Sequence, residues 1–83
     1  MWIDFLNSRG RDYWASLYSY SVFAGTDSNF HIWIDMNEPS VFTGPEGTMP
    51  KTNRHVIPLK EPLQVLHRDV HNVYGLLMTM ATH

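Results

Sequence analysis

The sequence predicts an α/β fold built on parallel strands, and three features predict it. Helical periodicity runs over residues 8–23, a short apolar run comes next at 30–35, and helical periodicity returns at 67–83. Alternation of helix, strand and helix is the pattern of parallel α/β architectures. A single strand makes no sheet, and both of its edges need neighbours. The expectation is therefore a fragment, with companion strands supplied by chain outside these 83 residues.

The first helix starts at Asn7, whose side-chain oxygen suits it to cap unpaired first-turn amides. Trp14, Leu17, Tyr18, Ser21 and Val22 then repeat at i, i+3, i+4, i+7 and i+8, one face of an amphipathic helix. Gly10 weakens the first turn by about 1 kcal/mol relative to Ala, and Gly25 is placed to end the helix. The strand, Phe30-His31-Ile32-Trp33-Ile34-Asp35, is β-branched and aromatic, which predicts burial on both faces. Period-two geometry puts His31, Trp33 and Asp35 on one side of it.

From residue 36 to residue 66 periodicity vanishes. All five prolines (Pro39, Pro45, Pro50, Pro58 and Pro62) fall in this stretch, which reads as one long active-site loop. The last helix recovers its spacing through Val70, Val73, Tyr74, Leu77, Met78 and Ala81, interrupted by Gly75.

Composition narrows the function. Charged residues are 17% and aromatic residues 13% of the chain. An ordinary soluble domain is about 25% charged, so this chain reads as a piece of a larger core. A net charge of −2 with scattered basic residues argues against nucleic acid or anionic lipid as partner. No apolar run approaches the roughly 20 residues of a membrane span. The start of the chain shows no secretory signal. The absence of cysteine excludes disulfides and thiolate metal sites.

The chemistry concentrates where the predicted strand ends, at Asp35-Met36-Asn37-Glu38. Active sites of parallel α/β folds sit at the carboxyl ends of strands. Two carboxylates beside Trp33 fit glycoside hydrolysis, in which one carboxyl group attacks or activates water while another protonates the leaving oxygen. An indole face suits the apolar face of a sugar. Paired acids also cap helices or accept backbone amides, and residue types alone leave that reading open. His67 and His71 stand at i, i+4, a spacing able to clamp Zn²⁺. No third ligand stands at suitable spacing, so the expectation there is no metal.

The run Trp33-Ile34-Asp35-Met36-Asn37-Glu38-Pro39-Ser40-Val41-Phe42 resembles the nucleophile motif of glycoside hydrolase family 31, the α-glucosidase family. Asp4-Phe5-Leu6-Asn7 and Arg11-Asp12-Tyr13-Trp14 resemble the family's segment on the N-terminal side of that motif. Thr43-Gly44-Pro45-Glu46 and His67-Arg68-Asp69-Val70-His71-Asn72-Val73-Tyr74-Gly75 resemble the family's segment on its C-terminal side. The likeness covers nearly all of the chain. It lapses over residues 50–66, which look longer and more divergent than the family's connector, and Ser8 stands where the family commonly has proline.

The resemblance implies a fragment of a (β/α)₈ TIM barrel, with residues 1–83 forming part of one catalytic domain and no complete domain. It implies a retaining α-glucosidase that releases terminal α-linked glucose from an oligosaccharide or N-glycan. Asp35 would be the nucleophile, Glu38 a supporting carboxylate, and Trp33, Met36 and Asn37 substrate contacts. The family's acid/base carboxylate comes from a segment with no match here, so the fragment alone is expected to be inactive. Carboxylates and water suffice for the reaction, so no cofactor is implied. Likeness to N-glycan-processing members further implies the endoplasmic reticulum lumen and a non-catalytic β-subunit.

Two alternatives stand beside this reading. Asn37-Glu38-Pro39 also resembles a β-glycosidase motif in which Glu38 is the acid/base. A truncated product retaining the motif would instead be a catalytically inactive glycan- or partner-binding chain.

Overall fold

The computed structural model describes residues 2–83. Helix α1 (Ser8–Ser16) starts where expected, with the Asn7 side chain accepting from the Arg9 amide at 3.0 Å. A hairpin forms late in the chain, from β1 (Arg54–Ile57) and β2 (Leu63–Leu66). Then come α2 (His67–Val70), a 3₁₀ turn over His71–Val73, and α3 (Tyr74–Thr82).

The core is small and forms around the N-terminal segment. Phe5, 2% exposed, meets Trp14 and Tyr74 edge-on, with ring centroids 5.6 and 5.2 Å apart. Such aromatic pairs add about 0.5–1.5 kcal/mol beyond the area they bury. The Trp14 indole donates to Thr82 Oγ1 at 2.9 Å, fastening α1 to the end of α3. Arg11 donates to the Phe5 and Leu6 carbonyls at 2.8 and 3.1 Å, holding the entering chain against α1.

Four features depart from the sequence expectation. The first helix ends at Ser16 rather than at residue 23, and the chain continues as loose turns. Ser16 and Ser19 donate their hydroxyls to the carbonyls of Tyr13 and Ser16, satisfying backbone acceptors locally in place of the helical ladder. The side chains of Tyr20, Val22 and Phe23 are exposed, and Phe23 meets the likewise exposed Phe30 ring, edge-on at 5.8 Å.

Residues 30–35 form no strand. Extended chain becomes a strand only through a ladder with a neighbour, and no neighbour is present within the described residues. Trp33 is 87% exposed, and Phe30 and Ile32 are exposed as well.

The stretch from 36 to 66 is not structureless. β1 and β2 pair in antiparallel register (Arg54 with Leu66, His55 with Val65, Val56 with Gln64, Ile57 with Leu63), so the strands that form are not parallel. Pro58 and Pro62 border the connection, outside the ladder, where their missing N–H groups cost nothing. The hairpin neck is closed by the His67 amide on the Asn53 carbonyl at 2.8 Å and the Arg68 amide on the Lys51 carbonyl at 3.1 Å.

The last helix is broken at the 3₁₀ turn rather than running from residue 67 to residue 83. Gly75 lies inside α3, where a β-carbon would sit 3.3 Å from Asn37 Cβ. Its presence answers that close approach and does not stop the helix.

Candidate active site

The acidic segment runs on from the extended chain at 30–35 into a closed loop. Pro39 is fully buried, and its carbonyl accepts from Thr48 Oγ1 at 2.7 Å and from the Met49 amide at 3.4 Å. A single bridge joins Ser40 to Thr48, and the Val41 amide donates to the Gly47 carbonyl at 3.1 Å. Gly47 has φ +66°, a left-handed conformation that glycine adopts without penalty. Residues 39–49 are thus a ring of chain, closed at its neck and anchored by Pro39. The Lys51–Glu46 ion pair on its rim is exposed, where such pairs contribute about 0–1 kcal/mol.

Asp35 is exposed, and its Oδ1 accepts from the Met36 amide at 2.7 Å. Met36 adopts φ 57°, a left-handed backbone that costs a non-glycine residue about 1–2 kcal/mol.

Asn37 is half-buried against Gly75, and its Oδ1 is buried with no hydrogen-bond partner among the described residues. Glu38 is exposed, between Asn37 and the buried Pro39.

The structure therefore keeps Asp35, Met36, Asn37 and Glu38 on one short turn between an open arm and an anchored ring. It does not bring Trp33 onto Asp35 as a packed wall. Met36 instead lines an apolar cleft of ≈ 210 Å³ with Trp2, Ile3, Phe5, Trp14, Tyr74 and Met78.

A second polar cluster lies behind the core. Asp4 Oδ1 is 3.1 Å from His55 Nδ1, His55 Nε2 is 3.1 Å from His67 Nδ1, and His67 Nε2 is 2.8 Å from His71 Nδ1. Both nitrogens of His67 are thereby occupied by other rings. Among the described residues, no group of three or more His, Asp or Glu side chains is placed to hold a metal ion. Burial pushes the His67 imidazole below its ordinary range, and the neighbouring His71 and His55 add to the effect.

The i, i+4 spacing of His67 and His71 was visible in the sequence. Their partners His55 and Asp4 were not, because Asp4 and His55 are 51 residues apart and no local period connects them.

Tyr74 and Tyr18 are both pushed above the usual phenol range. Burial is the main cause for each; the Asp4 charge adds to the rise at Tyr74, and a hydrogen bond with Thr82 opposes it at Tyr18.

Residues 1–83 match the glycosyl hydrolases family 31 TIM-barrel domain. The chain is 48% identical over 79 residues to neutral alpha-glucosidase AB of Homo sapiens, covering 95% of this chain and 8% of that protein. It is 46% identical over 79 residues to a probable glucan 1,3-alpha-glucosidase of Oryza sativa subsp. japonica, with coverage of 95% and 8%. With glucosidase 2 subunit alpha of Schizosaccharomyces pombe it shares 44% over 75 residues, 90% of this chain and 7% of that one. The chain thus spans less than a tenth of the length of these relatives. A match along all 83 residues, through the acidic turn and both flanks, places the chain in glycosyl hydrolase family 31, as part of that family's TIM-barrel domain.

Proposed function

We propose that this chain is the nucleophile-bearing segment of a retaining α-glucosidase. The observation that carries the reading is the family match over all 83 residues, which includes the acidic turn. The names of the relatives, alpha-glucosidases from animal and plant, favour an α-glucoside over a β-glucan and so favour Asp35 over Glu38 as the reacting carboxylate.

In this reading Asp35 attacks the anomeric carbon and forms a glycosyl-enzyme. A second carboxyl group, about 5–5.5 Å away on chain outside this segment, protonates the leaving oxygen and then activates water. Exposure of Asp35 and its hold on a single backbone donor suit a nucleophile that a substrate can reach. Trp33 and Met36 supply apolar contact to the sugar. The unpartnered Oδ1 of Asn37 is ready to accept a hydroxyl, and Glu38 orders the turn.

Residues 30–35 would be a barrel strand whose parallel neighbours come from the rest of a (β/α)₈ barrel. The substrate would be a terminal α-linked glucose, on an N-glycan in the endoplasmic reticulum lumen. The name of the fission-yeast relative, a subunit alpha, supports a second, non-catalytic subunit.

The test is covalent labelling of the full-length polypeptide with a 5-fluoro-α-glucosyl fluoride, then peptide mapping. Label on Asp35 is the expected result, and label on another carboxylate would overturn the assignment.

A further inference from the structure

The line from Asp4 through His55 and His67 to His71 crosses from the N-terminal segment to β1, α2 and the 3₁₀ turn. His67 is 1% exposed and His55 7%. The cavity beside them, lined by Asp4, Phe5, Leu6, His55, His67 and Tyr74 among others, is ≈ 10 Å³, at the lower limit for holding one water. The ring-to-ring contacts are direct, at 3.1 and 2.8 Å, so the hydrogens within them can be placed by counting.

An ionised carboxylate only accepts, so His55 Nδ1 carries a hydrogen toward Asp4. Each ring-to-ring contact holds one hydrogen: none leaves two lone pairs opposed, and two leave N–H facing N–H. With His55 Nδ1 occupied and the ring neutral, the hydrogen in the next contact belongs to His67 Nδ1. By the same step, the one after belongs to His71 Nδ1. All three rings are then neutral and share one tautomer. His71 Nε2, on a half-buried residue, makes no hydrogen bond among the described residues and is left as the acceptor at the far end.

We propose that Asp4, His55, His67 and His71 form a one-proton relay, which takes a proton at His71 Nε2 and moves the positive charge to His55 beside Asp4 without displacing any ring. As the N–H forms at His71 Nε2, the hydrogen on His71 Nδ1 passes to His67 Nε2. The hydrogen on His67 Nδ1 then passes to His55 Nε2. Three N–H bonds form and two break, the difference being the proton taken up; every contact still holds one hydrogen, and His55 ends doubly protonated 3.1 Å from the Asp4 carboxylate. A second proton finds no position that keeps one hydrogen per contact, so it severs the line.

The surroundings support a charge that passes His67 and rests beside Asp4. The lowered imidazole of His67 resists holding it. Tyr74, from α3, stays a neutral phenol because burial and the Asp4 charge both oppose its ionisation. Arg68 and Asp69, the charged residues of α2, are exposed, and the residue of β2 paired with His55 is the apolar Val65.

The relay stands independently of the proposed glycosidase reading, and its test needs no substrate. Neutron diffraction from deuterium-exchanged crystals of the full-length polypeptide would be recorded at about pH 8 and about pH 5, either side of the ordinary imidazole value of about 6.5. The expected maps show three ring deuterons at the higher pH, each on Nδ1. At the lower pH they show four, on His55 Nδ1, His55 Nε2, His67 Nε2 and His71 Nε2, with the nitrogen-to-nitrogen distances kept. A bare His67 Nδ1 at the higher pH, deuterons still on His67 Nδ1 and His71 Nδ1 at the lower, three deuterons at both, or separation of the rings on uptake of the first proton would overturn the proposal.

Discussion

Gly75 in α3 lies against Asn37 on the acidic turn so closely that an added β-carbon would come within 3.3 Å of Asn37 Cβ and 3.5 Å of its carbonyl oxygen. The helix after the loop thus sets the position of the turn that carries Asp35 and Glu38. Replacing Gly75 with Ala tests this coupling. Alanine favours the helix by about 1 kcal/mol, yet it shifts the turn by a few tenths of an ångström. The thermal midpoint of the full-length enzyme is expected to hold or rise while kcat falls about tenfold, as small misplacements of reacting groups do. Steady-state kinetics paired with calorimetry on Gly75→Ala reads both effects.

The two carboxylates are expected to separate cleanly. Asp35→Asn in the full-length enzyme should lower turnover on an aryl α-glucoside on the order of 10⁴-fold or more, the scale on which a lost nucleophile is felt. Glu38→Gln should retain binding and measurable turnover. The reverse pattern would assign the reaction to Glu38 and to β-linked substrates.

Met36 holds a left-handed backbone at φ 57°. A β-branched residue tolerates that region worse than Met does. Met36→Val is expected to destabilise the full-length protein by roughly 1–2 kcal/mol, while Met36→Gly should be neutral or better, measured by denaturant midpoints. Equal stability of both variants would mean the turn relaxes to another backbone.

The pH dependence of stability has a definite sign. The folded state depresses the His67 imidazole, chiefly through burial and then through His71 and His55. Below the unfolded value of about 6.5 the unfolded chain binds more protons than the folded one. The contribution is complete above that value and is lost as pH falls toward the folded value. The thermal midpoint of the full-length protein should therefore drop between about pH 7 and about pH 5. His67→Leu should be less stable near neutrality, because it leaves His55 Nε2 and His71 Nδ1 without the ring they bond to, and should show a shallower drop. A midpoint that rises on acidification would contradict the linkage.

The 83-residue chain alone is expected neither to fold cooperatively nor to hydrolyse a glucoside. Among the described residues its buried apolar side chains reduce to Phe5, Pro39, Met49 and Tyr74, while Trp33, Phe42 and Phe30 stand in water. Burial of each large side chain contributes only about 1.5–3 kcal/mol, against roughly 1–2 kcal/mol of backbone entropy per ordered residue. Circular dichroism of the purified fragment should lack a cooperative thermal transition, and an aryl α-glucoside assay should stay at background.

Local signals were legible in the sequence wherever the deciding interaction is local. Asn7 caps α1 as read, and the acidic turn lies where periodicity vanishes, at the start of the stretch from residue 36 to residue 66. What escaped is what depends on distant partners. The hairpin of β1 and β2 hides because Arg54-His55-Val56-Ile57 is too short and mixed to show alternation, and its pairing is the only thing that makes it a strand. Residues 30–35 differ in the opposite direction: apolar and β-branched, they read as a strand yet find no edge to join among the described residues. At the site, the acidic turn was visible through its unusual carboxylates. The line through His55 was not, since it joins residues from three separate parts of the chain.

The closed neck of the hairpin has an evolutionary consequence. Because Asn53 and His67 already meet at 2.8 Å, the thirteen positions between them form an excursion whose two feet are pinned together. Doubling the length of such an excursion costs only about 0.6 kcal/mol in closure entropy, so insertions and drift at its tip, over residues 58–62, leave the geometry below undisturbed. The hairpin tip is thus expected to tolerate insertion, whereas a deletion reaching down to His55 would remove the imidazole that joins Asp4 to the rest of its line.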